Sequence, residues 1–561
     1  MHKHGVIGGP AVGKQSFARG AVILATASAI SRLLGVVYIV ALPRIIHDEG
    51  MGLMQMVRPI YSFAAILSVA GLPVALSKLV AEQMALGSVQ GAVGVFRWAL
   101  GTMLVLGVTL TGVLVFGGRW LVTTIVRDPL AYPVLMAMTP SVLLLAVIAA
   151  LRGFFQGMQY MTPSAVSQIA EQVGRVGSIL ILAIMLMPWG VQYGAAGASL
   201  GSVFGSLGGL AVLTMYYVAW QRNLRGTLPS QRESTSGGMG SGWQILRRLF
   251  SLSLPIVLGA VLWPTMQMID TGLVPLRMQA AGYSVEAVRE CLGYLGMALS
   301  LMHFPNVLTS ALAVTLVPAV AAAEALNAHR QVQRRVTEAL RLTILFGGPA
   351  STGLFLLARP ASTLLFDYPQ AAEPLKILAL GTLAVGVFQV CSGVLQGLGL
   401  VLLPVRSLII GVIVKLGLNY WLTALPGLGI RGAAWGTVTG FCVAGMLNLR
   451  AVDQHTGVDW DWGELLLKPV IASAIMGLGV VLVYDSLYGL MLALLQRFSW
   501  GQSRYLFACN GLATMGAIVA GIGVYLVGLM GTGTLYQRDV ELFPKVGTKL
   551  GRWLNRRGWA R

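Results

Sequence analysis

Apolar runs of about twenty residues, each bounded by Arg, Lys, Pro or Gly, recur from Gly20 to Met530, and a run of that length crosses a hydrocarbon core of roughly 30 Å. Lipid offers the backbone no hydrogen-bond partner, so a spanning segment is either a helix or a strand of a closed barrel. Barrel strands alternate over segments of about ten residues, and these runs carry no such alternation. The pattern predicts an all-α polytopic membrane protein of about fourteen transmembrane helices, near residues 20–43, 55–82, 91–117, 131–152, 163–187, 194–220, 250–275, 292–320, 336–358, 374–397, 404–424, 431–451, 465–485 and 505–530. Even parity puts both termini on one side.

Composition agrees. Of 561 residues, 56% are hydrophobic and 11% charged, against about 25% charged in an average soluble domain. Lys3, Lys14 and Arg19 precede the first apolar stretch in the manner of a signal peptide, but that stretch is too long for a secretory core and contains Arg32. It is read as a retained first helix. The net charge of +19 is not one patch; the basic residues cluster at helix ends, which argues for lipid rather than nucleic acid as the surrounding partner.

Short loops rich in Lys and Arg face the cytoplasm. Arg222, Arg225, Arg232, Arg247 and Arg248 mark one such segment, and Arg330, Arg334, Arg335 and Arg341 another. The tail with Arg538, Lys545, Lys549, Arg552, Arg556, Arg557 and Arg561 is a third. The loop from Pro188 to Gln192 has no basic residue, although Arg277 and Arg289 weaken the contrast. Both termini are therefore expected on the cytoplasmic side of the membrane.

An internal duplication fixes the architecture. Gly197-Ala198-Ser199-Leu200-Gly201-Ser202-Val203-Phe204-Gly205 matches Gly432-Ala433-Ala434-Trp435-Gly436-Thr437-Val438-Thr439-Gly440, glycine for glycine. Gln156-Gly157 followed by Pro163 recurs as Gln396-Gly397 followed by Pro404, and Pro59 with Pro73 recurs as Pro305 with Pro318. Six spans return the chain to its starting side, so the repeats are parallel. The expected organisation is a cytoplasmic tail (1–19), a six-helix lobe (20–221), a cytoplasmic linker (222–249), a second six-helix lobe (250–452), helices thirteen and fourteen (453–530) and a basic amphipathic cytoplasmic tail (531–561). Within that tail, Asp539 to Arg561 reads as a helix lying on the membrane surface or packing on the bundle.

Charges within the spans need a reason, because each costs roughly 2.5–3.5 kcal/mol at mid-bilayer. Lys78, Arg97 and Arg152 lie near cytoplasmic helix ends, where long side chains snorkel to headgroups. Arg58, near the outer end of helix two, is open to an anchoring or a substrate-binding reading. Arg32 is about twelve residues, or roughly 18 Å, from the end of helix one; it either contacts an anion or bonds a neighbouring helix. Arg175 lies at similar depth with Glu171 one turn before it, at ion-pair spacing. The offset of Gln156 to Gln396 carries Arg175 approximately onto Lys415, mid-way along helix eleven, with Asn419 one turn on. Arg32, Arg175 and Lys415 together predict an electropositive cavity and an anionic substrate. Asp270 either couples the movement of a cation or proton or pairs with Arg277.

Other chemistries find no footing. Histidines 2, 4, 47, 303, 329 and 455 lack metal-ligand spacing, and Cys291, Cys391, Cys442 and Cys509 lack metal or disulfide spacing, so no metal or cofactor is expected. Gly8 to Lys14 fits Gly-x-x-x-x-Gly-Lys, but Gln15 replaces the magnesium-binding hydroxyl and no strand precedes it. Paired carboxylates on a large outer loop, which a membrane glycosyltransferase would need, are missing from the short outer loops.

Ser31-Arg32-Leu33-Leu34-Gly35, Gly71-Leu72-Pro73-Val74-Ala75-Leu76-Ser77-Lys78-Leu79-Val80-Ala81-Glu82 and Arg152 to Pro163 resemble the stage V sporulation protein B family. So do Met266 to Tyr283, Phe304 to Ala319 and the tail around Leu542 to Gly547. The resemblance covers nearly the whole chain. It implies the multidrug/oligosaccharidyl-lipid/polysaccharide exporter superfamily, two six-helix lobes plus two helices, and an undecaprenyl-pyrophosphate sugar as substrate. The superfamily's lipid II flippase has Ser-Arg-x-x-Gly-x-x-Arg on its first helix; Ser31, Arg32 and Gly35 match, and Tyr38 stands where the second Arg would be.

The expectation is a flippase that moves a lipid II-like precursor by alternating access, in peptidoglycan or spore cortex synthesis. Arg32, Arg175, Lys415 and Arg58 are its candidate substrate contacts, and Asp270, Glu171 and Arg277 its coupling or ion-pair candidates. A coupling cation or the membrane potential would drive it. The alternatives are a cation-coupled multidrug exporter of the same superfamily and a non-transport scaffold for wall or spore assembly.

Overall fold

The computed structural model describes residues 17–69, 71–227, 242–495 and 502–534, and every regular element among them is helical. The Gly8–Lys14 segment, residues 228–241 of the linker and the amphipathic tail from Asp539 lie outside the described residues. In chain order the helices are α1 (Phe17–Val69), α2 (Leu72–Ala85), α3 (Val89–Trp120), α4 (Tyr132–Gly157), α5 (Thr162–Leu186), α6 (Val191–Thr227), α7 (Gly242–Ala280) and α8 (Val285–Ala325). They continue as α9 (His329–Leu356), α10 (Ala358–Phe366), α11 (Ala372–Gly397), α12 (Leu402–Leu422), α13 (Ile430–Thr456), α14 (Lys468–Leu495) and α15 (Gln502–Gly531).

Eleven helical stretches among the described residues are long and apolar enough to cross a membrane. The first, Thr26–Ala85, has 60 residues, about three times what one crossing takes. His47, at φ 59° and ψ −176°, interrupts α1 so that the stretch holds two of the expected spans. Two more expected spans, α7 and α13, are helical but fall outside those eleven.

The chain forms two compact units, Met1–Pro275 and Leu276–Arg561. Most of α7 thus packs with the first six spans, whereas the repeat assigns it to the second lobe. Gly71 shows how close that packing is. Its φ of +68° suits glycine, and an added Cβ would lie 2.9 Å from the Ile256 Cβ and 3.0 Å from the Ser253 carbonyl oxygen. Pro73 then opens α2, where its missing N–H costs no helical bond. At one end of the unit Phe96, Phe154, Phe155, Tyr217 and Trp220 form an aromatic cluster, with Phe96 and Phe154 ring centroids 4.6 Å apart.

Lipid tails are as apolar as leucine, so helix association depends on close van der Waals approach through small residues. Both copies of the glycine repeat serve this purpose. On α6, a Cβ at Gly197 would lie 2.5 Å from the Leu182 carbonyl oxygen and one at Gly205 would lie 2.7 Å from that of Glu171. On α13, a Cβ at Gly432 would lie 2.6 Å from the Leu422 carbonyl carbon. The sequence repeat is thus a repeated helix contact, α5 on α6 in the first unit and α12 on α13 in the second.

In the second unit α14 and α15 pack on each other and on α9 around Leu345, Ala472, Met476, Val480, Ala517 and Tyr525. Pro349 lies inside α9; it has no N–H, so the carbonyl of Leu345 four residues earlier loses its helical donor. The Tyr525 hydroxyl of α15 donates to that carbonyl at 2.9 Å. Arg341 of α9 donates to the Thr534 carbonyl at 2.6 Å, and Asn510 of α15 to the Pro360 carbonyl of α10 at 3.0 Å.

Candidate functional site

The charged residues of α5 are placed by the hairpin it makes with α4. Gly157, the left-handed Gln159 and Pro163 at the start of α5 allow a short turn, which brings the end of α4 beside the second and third turns of α5. Arg152 and Glu171 meet there. Glu171 is 7% exposed and accepts from two arginines: Arg152 Nη2 reaches its Oε2 at 2.9 Å, and Arg175 Nη2 reaches its Oε1. Arg152 Nε donates to the Ser167 hydroxyl at 3.0 Å. Arg175 Nε is buried without a hydrogen-bond partner.

The cluster carries two positive charges against one negative. Its arginines also face outward more than the carboxylate does: their side chains are 23% and 29% exposed, while that of Glu171 is 10% exposed. The α6 glycines hold it from behind, since a Cβ at Gly205 would sit 2.8 Å from the Arg175 Cβ and one at Gly209 would sit 3.2 Å from the Glu171 Cβ.

Helix α1 contributes the adjoining wall. Ser28 donates to the Gln168 side chain at 3.3 Å and Ser31 to the Gln168 carbonyl at 3.5 Å. A Cβ at Gly35 would lie 3.3 Å from Gln172. The Ser-Arg-x-x-Gly segment therefore packs on the α5 face one turn from Glu171. Arg32 lies within it, one turn after Ser28, and its side chain is outside the described residues. Farther along α1, the Tyr61 hydroxyl accepts from Ser141 at 2.9 Å. Arg58 is exposed and makes no ion pair among the described residues.

The second unit repeats this geometry with different chemistry. A Cβ at Gly201 would lie 3.1 Å from the Arg175 carbonyl, and one at Gly436 would lie 3.3 Å from the Lys415 carbonyl. Lys415 thus occupies the register of Arg175. The position of Glu171 falls to Gly411, whose Cβ would meet the Gly440 carbonyl at 2.5 Å, and the position of Ile179 falls to Asn419. Lys415 is 2% exposed and Asn419 is fully buried.

Asp270 is buried in α7 within the first unit. Arg277, at the end of α7, donates to the Tyr420 carbonyl at 2.9 Å and stacks 4.0 Å over the Tyr420 ring. Among the residues read as headgroup anchors, Lys78 and Arg97 are exposed as expected. Arg152 is not: it turns into the bundle, because a buried carboxylate is a stronger attraction than headgroups a turn or more away. Tyr61, Ser141 and Ser167 carried no signal in the sequence. Among the described residues no group of His, Cys, Asp and Glu is arranged to hold a metal ion.

The polysaccharide biosynthesis protein family model matches residues 17–324, and the MatE model matches residues 255–421. The chain is 32% identical to stage V sporulation protein B of Bacillus subtilis (strain 168) over 442 residues, covering 79% of this chain and 84% of that one. It is 25% identical to the lipid II flippase MurJ of the same bacterium, covering 83% of this chain and 88% of that one. A solved lipid II flippase, in an inward closed conformation, superposes with a TM-score of 0.64 at 14% identity, covering 90% of this chain and 98% of that one. An inward-facing multidrug resistance transporter of the MATE family, of the MOP superfamily, has the same TM-score at 16% identity, covering 78% of this chain and 98% of that one.

Proposed function

Because this chain belongs to the polysaccharide biosynthesis protein family and is a multi-pass membrane transporter of the flippase and exporter superfamily, we propose that its cargo is a polyprenyl-pyrophosphate-linked cell-wall precursor. On this reading it moves the sugar headgroup across a bacterial plasma membrane for peptidoglycan or spore cortex synthesis. Both termini are cytoplasmic, and the two lobes alternate in exposing the bound headgroup.

The observation that carries the reading is the net-positive cluster of Arg152, Glu171 and Arg175, matched in the second unit by Lys415 at the position of Arg175. Charge inside a bilayer is expensive, and in the first unit two guanidiniums share one carboxylate, so a further anion would be welcome there. A pyrophosphate suits it: arginine offers bidentate donors and lysine a point charge. Arg32 and Arg58, both on α1, are the further candidate contacts of the headgroup. The polyprenyl tail stays in lipid.

The test is reconstitution into vesicles with lipid-linked disaccharide-peptide and measurement of its appearance in the opposite leaflet. Arg175→Ala and Lys415→Ala are each expected to abolish movement while the protein remains monodisperse. Full activity of both variants would remove the reading. Transport of cationic drugs instead of the precursor would favour the multidrug exporter, the reading to which the second structural likeness points.

A further inference from the structure

The Glu171 carboxylate stands where an anion bound to Arg152 and Arg175 would stand. Its two oxygens each take one guanidinium, Oε2 from Arg152 and Oε1 from Arg175. A phosphate group presents oxygens to paired arginines in the same way. The carboxylate is the most buried member of the trio and the arginines are the more open ones, so an incoming anion meets the cations before it meets Glu171. Arg175 Nε, buried and without a partner, is a donor left over.

We infer that Arg152 is a further ligand of the transported headgroup, and that Glu171 is an internal surrogate anion which the headgroup displaces from both arginines. This rests on the cationic surface of the first unit receiving a phosphate-bearing cargo. It adds a residue that hydropathy assigns to anchoring, and it gives Glu171 a role distinct from neutralising Arg175. Ser167 then acts as a positioning residue: through its 3.0 Å bond to Arg152 Nε it keeps that guanidinium aimed at the shared seat while its partner changes. The second unit has Gly411 at the position that corresponds to Glu171, so a carboxylate stands at that position in one copy of the repeat.

The test is equilibrium binding of inorganic pyrophosphate to the full chain in uncharged-lipid nanodiscs. Removing the competitor is expected to tighten binding, by about tenfold if about 1.4 kcal/mol of competing interaction is lost. Glu171→Gln should therefore bind pyrophosphate about tenfold more tightly than the native chain, and adding Arg152→Gln should erase that gain. Glu171→Asp, one methylene shorter and unable to span both arginines, should fall between; it serves as the readout should Glu171→Gln fail to give monodisperse protein. Unchanged or weaker binding in the folded Glu171 variant would overturn the inference, as would a gain that survives loss of Arg152. The outcome separates from that of the transport assay: pyrophosphate competition without precursor movement removes the proposed cargo and keeps the seat, and movement without competition does the reverse.

Discussion

Replacing Gly205 by alanine tests whether the α6 glycines set the geometry of the charged cluster. The new methyl would lie 2.7 Å from the Glu171 carbonyl oxygen and 2.8 Å from the Arg175 Cβ, against about 3.5–4.0 Å for ordinary carbon contacts. Neither neighbour is a flexible tip, so α5 and α6 must part by about 1 Å. Overpacking of this kind costs about 1–3 kcal/mol. Gly177→Ala is the matched control. It is on the same α5, its Cβ would meet nothing within 4 Å, and alanine is favoured over glycine in a helix by about 1 kcal/mol. Thermal unfolding of the purified chain should fall by several degrees for Gly205→Ala and hold or rise for Gly177→Ala. Precursor movement in vesicles should drop only in the former. Equal stability and equal transport of the two variants would refute the reasoning.

Gly71→Ala, which meets both a positive φ and the Ser253 carbonyl, should lose about 1–3 kcal/mol of stability; a neutral effect on thermal unfolding would show that α2 and α7 are not in close contact. Lys415→Met keeps the length of the side chain and removes its charge, so in the monodisperse fraction precursor movement should fall by more than about tenfold, the equivalent of about 1.4 kcal/mol. Retained movement would take Lys415 out of the mechanism. Arg277→Lys loses the planar stack on Tyr420, worth about 0.5–2 kcal/mol, and a thermal scan showing no loss would contradict that contact.

The helices were legible because a bilayer permits so little else, and the glycine repeat was legible because close helix approach tolerates few substitutes. The Glu171 and Arg175 pair was legible for a local reason, one turn of separation on one helix. The Arg152 contact was not, because hydropathy reports depth and says nothing of the direction in which a long side chain turns. Depth suggested headgroups; a carboxylate across the α4–α5 hairpin won. The close neighbours of α7 were hidden for a related reason. Repeats record how a chain was duplicated, whereas packing follows contacts such as those of Gly71 with Ser253 and Ile256. The break in α1 at His47 left no mark either, since neither glycine nor proline stands there.

The bond from Tyr525 to the Leu345 carbonyl makes the last helix answerable for a proline in a distant one. A shortened chain ending after α13 would leave that oxygen facing hydrocarbon, unless residue 349 regained an N–H of its own. The two helices without a counterpart in the duplication are therefore no detachable appendage: the bend in α9 and the presence of α15 stand or fall as one inherited choice.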